Sequence, residues 1–305
     1  MNLRDRLLWH FFKLNLANPG HRNAWYLVLE MFWASILGSV ASFNAAFAIR
    51  LGADNFQVGL LTSIPAMIAV AVSIPAGHFL QKQTRRTPWV FGSLMIHRMG
   101  YLLVALAPWV KLPGIEPGLL VVLILVINTL PAHFFNVGWI PLLADIVPEQ
   151  RRAAVFAARN ITNQATVSLV VFLCGQWLSR VAFPVNYQAL YFFGFLASMA
   201  SMYLLFKLEV PDSHPAAVVE TAGQRKNRSL AELARAARAA MTAQPGFLRI
   251  TVNTLLHGIG IWMAGPLYTL YFVRVLDASD AWLGLNGTVA SLGTIAGYSL
   301  WRWLM

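Results

Sequence analysis

Eight stretches of this chain stay apolar for about 20 residues or more, and that pattern decides what the chain can fold into. They run over residues 24–49, 58–80, 89–110, 118–142, 153–178, 189–208, 247–273 and 282–304. A hydrocarbon core about 30 Å thick offers no partners for unpaired backbone groups, so a segment of this length crosses it as a helix. The fold class expected is an all-α, polytopic membrane helix bundle. Composition agrees: 58% of residues are hydrophobic and 11% charged, against about 45–50% and about 25% in a soluble domain. A water-soluble globule is thereby excluded.

A net charge of +11 raises the question of a nucleic-acid partner, and the placement of the 23 basic residues answers it. Arg50, Lys111, Arg180 and Arg274 fall in one alternate set of loops, and Arg98 alone lies in mid-span. All the others fall in the opposite set, in clusters such as Lys82, Arg85, Arg86 and Arg151, Arg152, Arg159. This is the asymmetry of the positive-inside rule. It puts the N-terminus in the cytoplasm of an integral protein of the plasma or cell inner membrane, with anionic lipid and not nucleic acid as the basic partner. A single cysteine, Cys174, leaves no internal disulfide and no metal-ligand cluster, and no cofactor motif is present.

The chain divides into 1–23, 24–208, 209–246 and 247–305. Residues 3–16 place Leu3, Leu7, Phe11 and Leu14 on one helical face, and Asn18-Pro19-Gly20 ends the pattern; an interfacial segment is expected. The apolar run that follows is too long for a signal peptide. Residues 209–246 form a central cytoplasmic loop. Within it Ser229-Leu230-Ala231-Glu232 matches a capping box and predicts an amphipathic helix over 230–243 on the membrane surface. Leu51 to Leu60 aligns without gaps on Leu276 to Leu285, each an outer loop entering a span. That internal repeat predicts six plus six parallel helices, with residues 247–305 opening an incomplete second repeat. About four further spans are expected beyond Met305.

The first inner loop, Gly77-His78-Phe79-Leu80-Gln81-Lys82-Gln83-Thr84-Arg85-Arg86, resembles the G-x-x-x-D-R-x-G-R-R signature of the major facilitator superfamily. Gly77, Lys82, Arg85 and Arg86 fit; Gln81 stands in place of the acid and Thr84 in place of the second glycine. The next inner loop, from Asp145 through Pro148 to Arg152, resembles that superfamily's D-x-x-P-x-x-x-R segment. The resemblance covers the whole chain. It implies eight helices present of an expected twelve, and secondary transport by alternating access about a midplane site. It also implies a conformational ion-pair cluster at the inner surface, where Asp145 could replace the missing acid by pairing with Arg85 or Arg152.

Charge deep in lipid is costly, so mid-membrane polar residues mark a cavity or a partner. Arg98 lies roughly 14 Å in from Trp89, and Glu30 roughly 9 Å in from Ala24. They are expected to pair, either to fix helix packing or to couple substrate or protons. His133 and Asn136, with Asn128 on the same span, and Asn253 with His257 form the second candidate set. The members of each His/Asn pair stand three or four residues apart, on shared helix faces. Facing each other across a central cavity, the two histidines could bind a polar solute and titrate between about pH 5 and 8. His97 is read as packing. Without H-E-x-x-H, G-x-S-x-G or a Walker A loop, neither enzyme nor ATP-driven pump is indicated. The expectation is a monomeric secondary transporter of a small solute, with protons as the candidate coupling ion. The alternatives are a non-transporting or truncated remnant and a membrane-embedded enzyme.

Overall fold

A computed structural model describes residues 18–210, 235 and 245–304. The predicted interfacial segment 3–16 and the loop helix 230–243 lie outside the described residues, apart from Arg235. The elements are α1 (Pro19–Ala41), α2 (Asn44–Arg50), α3 (Asn55–Gln81), α4 (Thr87–Leu106), a short 3-10 turn (Ala107–Trp109), α5 (Pro117–Ile146), α6 (Glu149–Arg180), α7 (Val185–Phe206), α8 (Pro245–Leu270) and α9 (Asp280–Leu304). A π-helical turn, Tyr271–Val275, extends α8. The protein is an all-α membrane bundle: six helical stretches between Pro19 and Phe206 are long and apolar enough to cross a bilayer. α8 and α9 occupy the predicted seventh and eighth spans.

Local chemistry sets the helix ends. Asn18 opens α1 by accepting the Gly20 N–H at 2.9 Å. Asp54 opens α3 with a reciprocal box: its carboxylate accepts the Gln57 N–H at 2.7 Å and its own N–H donates to the Gln57 side chain at 3.1 Å. The tight link before it needs Gly52, whose φ of +97° is strained for any residue with a Cβ. Pro65 and Pro75 lie inside α3, and Pro131 and Pro141 inside α5.

Helix pairing follows two groups. α1 packs on α6 and α7, while α5 packs on α3 and α4; contact between α4 and α7 joins the groups. Two apolar cores result. One, toward the end that carries Arg50, gathers Phe47, Val104, Val121, Cys174, Tyr187 and Tyr191, with the Phe47 and Tyr187 rings stacked 4.6 Å apart. The other, toward the end that carries Arg85, gathers Leu27, Val90, Leu143 and Leu205. There the start of α1 is tied to the residues after α7: Asn23 donates to the Glu209 carbonyl at 2.8 Å and accepts its N–H at 3.1 Å.

α9 lies along α6 with a close backbone approach. A Cβ on Gly175 would fall 2.7 Å from the Asp280 carbonyl oxygen and 2.9 Å from the Gly284 Cα. The glycines let two helices meet at backbone distance, as small residues do in membranes. Thr288 clasps the joint by donating to the Ser168 carbonyl at 3.0 Å. These contacts fall in the half of each helix near Arg50.

Candidate functional site

Four helices converge on Glu30. Its side chain projects from α1 among apolar neighbours and is buried, as are Arg98 of α4 and Arg159 of α6. Carboxylate oxygen Oε2 accepts Arg159 Nη1 at 2.9 Å; Oε1 accepts the Ser201 hydroxyl of α7 at 2.7 Å. Arg98 Nη2 donates to that same hydroxyl oxygen at 2.7 Å and stands 3.8 Å from Oε1. The predicted Glu30–Arg98 partnership is thus present but bridged by Ser201, and the direct ion pair belongs to Arg159. Spare carbonyl lone pairs complete the guanidinium shells. Arg98 Nη1 donates to the Ser198 carbonyl, and Arg159 Nη1 to the Leu27 carbonyl at 2.6 Å. Ordinary helix bonds leave each of these oxygens one lone pair.

Sequence reasoning missed Arg159. It was grouped with Arg151 and Arg152 as an inner-loop charge, whereas it is a buried side chain roughly 15 Å along α6 from Glu149. Its depth along α6 is the signal that marks it, hidden in the sequence by the polar residues that surround it. Beside it, Arg159 Nη2 donates to the Met31 sulfur at 3.3 Å, and its guanidinium carbon lies 5.4 Å from the centre of the Trp139 ring of α5. One turn further along both helices, Asn163 donates to Ser35 Oγ at 2.9 Å.

The remaining candidates separate. Asn128 belongs to a two-bond clasp between α5 and α4: its amide donates to the His97 carbonyl at 2.8 Å, and His97 Nδ1–H donates to the Asn128 carbonyl at 3.1 Å. A Cβ on Gly100 would lie 2.3 Å from the Asn128 amide, so that glycine supplies the notch. His133 is half-buried and Asn136 exposed on α5, while Asn253 and His257 are exposed on α8. Among the described residues no hydrogen bond joins the α5 pair to the α8 pair.

Near the Arg85 end, the backbone N–H of Lys82 caps α3, and Gly77 meets only Val137, with a Cβ at an ordinary 3.8 Å. Arg85 is exposed, and the buried Arg86 Nε has no hydrogen-bond partner among the described residues. Arg152 does not pair with Asp145. It turns to the carbonyls at the end of α5, donating to Ala144 at 2.7 Å and Val147 at 3.1 Å, where a cation meets the negative end of the helix dipole. Asp145 is exposed, and among the described residues it forms no ion pair with Arg85.

The opposite end carries a joint that the sequence did not reveal. Buried Asp280, the first residue of α9, takes three hydrogen bonds on its Oδ1 atom: from Arg50 Nε at 3.1 Å, Arg50 Nη2 at 2.9 Å and the Tyr187 hydroxyl at 2.7 Å. Arg274 donates to the Ala53 carbonyl nearby. Each contact crosses from α8 or α9, or the turn between them, to the α1–α7 helices. A cleft of about 550 Å³ lined by Arg50, Ser179, Asn186 and Asp280 lies beside the joint.

The sequence pattern of the Major Facilitator Superfamily matches residues 26–305. A search of curated proteins finds no match.

Proposed function

The chain belongs to the Major Facilitator Superfamily, and from that premise we propose that it moves a small solute across the membrane by alternating access. Members of this family are membrane transporters, and the protein is an integral membrane protein. In this reading residues 24–208, containing α1–α7, are the first repeat, and α8 and α9 begin the second. The observation that carries it is the joint near Arg50. α9 and the α8–α9 turn are held to α6, α2 and α7 there through Asp280, Gly175 and Gly284. A second group of helices held to the first through one end is what a rocking transporter presents in one of its two states. The charge asymmetry supports a reading in which the joined end faces outside and the N-terminus the cytoplasm.

Protons are the proposed coupling ion, with half-buried His133 of α5 as the candidate coupling group. Proteoliposomes loaded with a panel of solutes under imposed pH and voltage gradients test this. The expected result is concentrative uptake of one solute class that collapses with the pH gradient and falls about tenfold or more in His133→Ala. Uptake indifferent to the pH gradient removes the proton; uptake of no solute removes transport.

A further inference from the structure

We propose that Arg159 is the binding group for an oxyanion, a carboxylate or phosphate carried by the transported solute. The inference rests on the transport reading and adds the substrate class.

The first argument is charge. Two guanidinium groups share one carboxylate: Glu30 pairs with Arg159 at 2.9 Å and approaches Arg98 at 3.8 Å, and among the described residues no other acid forms an ion pair with either. A guanidinium is cationic at any working pH, so the cluster holds at least one positive charge more than it neutralises. That excess lies within a membrane helix, where an uncompensated charge is expensive.

The second argument separates the two arginines. Arg98 is closed off, with its side chain 3% exposed and both terminal nitrogens bonded to oxygens of α7. Arg159 is the less enclosed of the two, with its side chain 10% exposed. Its Nη1 serves two oxygens, but among the described residues its Nη2 meets only the Met31 thioether, a weak acceptor. A charged nitrogen directed at a sulfur is poorly satisfied, and a stronger acceptor would displace the contact. An oxyanion is the acceptor that a planar guanidinium edge fits best.

The third argument is place. Trp139 of α5, partly buried against the core that gathers Leu27 and Leu143, brings its ring centre to 5.4 Å from the Arg159 guanidinium carbon. The ring holds the guanidinium from one face and leaves its edge to the solute. Asn163 and Ser35, one turn away, add neutral donors and acceptors beside it.

The test uses the full-length protein purified in detergent, with melting temperature followed at matched ionic strength. The probes are malate, inorganic phosphate, glucose and choline, and in a separate arm phosphatidylglycerol doped into the micelle. The expected result is a rise of roughly 5 °C near saturation with malate or phosphate, none with glucose or choline, and loss of the rise in Arg159→Gln. Glu30→Gln, which leaves Arg159 without its carboxylate, is expected to bind the same anion about tenfold more tightly, a change that a purely structural network would not produce. This variant, together with Arg159→Lys, decides the matter if Arg159→Gln does not fold. No anion-dependent rise in the wild-type protein, an equal rise in Arg159→Gln, unchanged or weaker anion binding in Glu30→Gln, or a rise that depends on Arg159 only with phosphatidylglycerol overturns the proposal. In proteoliposomes, gradient-driven uptake of a neutral or cationic solute would refute the oxyanion while leaving transport intact; the absence of any uptake would refute transport itself.

Discussion

Gly100 shows how little freedom a polar side chain has inside a membrane bundle. The Asn128 amide fills the notch where a Cβ would stand 2.3 Å away, and from there it reaches the His97 carbonyl. Gly100→Ala is expected to expel that amide and leave a buried polar group without its partner, at a cost of about 1–3 kcal/mol. Thermal unfolding in detergent should show the loss, and Asn128→Ala in the same chain should recover part of it, because the two changes share one contact. Glu30 and Arg98 could be picked out of the sequence because each interrupts a long apolar run. Arg159 could not be picked out the same way, since Arg151, Arg152, Asn160, Asn163 and Gln164 surround it and give its stretch the look of a polar rim. The Asp145 expectation failed on a different point. Backbone carbonyls at a helix end compete with carboxylates for a guanidinium, and Arg152 took the carbonyls.

Span order was legible from the apolar runs alone, because lipid forces each run to cross as helix, although the first run is divided between α1 and α2. Helix ends were less so. α3 starts at Asn55, before the apolar run beginning at residue 58, because the Asp54 box starts the helix in polar sequence. Which helices pair could not be read at all. Asn55–Gln81 and Thr87–Trp109 are both apolar, yet 6% of the first one's apolar window is buried and 56% of the second's; with hydrocarbon outside, a buried face and an exposed face need not differ in polarity. The α6–α9 contact is where pairing can be tested. A side chain at Gly175 must push α9 back from the Asp280 carbonyl. Gly175→Val should therefore reduce, by about fivefold or more, the yield of a disulfide between cysteines placed at Ser168 and Thr288. An unchanged yield would mean that the helices are held together elsewhere.

Across the whole molecule, Asp280 is where α9 meets the α1–α7 helices near Arg50. Removing one partner of a buried, hydrogen-bonded charge pair costs about 2–5 kcal/mol, which is roughly a 30-fold or larger change in a two-state population. Asp280→Asn is thus expected to open the Arg50 end. A cysteine introduced at Ser179, in the adjoining cleft, should then react several-fold faster with a membrane-impermeant maleimide, while Glu209→Gln at the other end should leave that rate alone. Equal rates in Asp280→Asn and the parent would show that the charge does not hold this end shut. Three side-chain hydrogen bonds from α2 and α7 terminate on a single oxygen atom, Oδ1 of Asp280. A latch seated on one atom has no half-turned setting: in the proposed rocking cycle a pivot of that carboxylate would break all three together, leaving the Arg274–Ala53 bond and the glycine contact to yield separately.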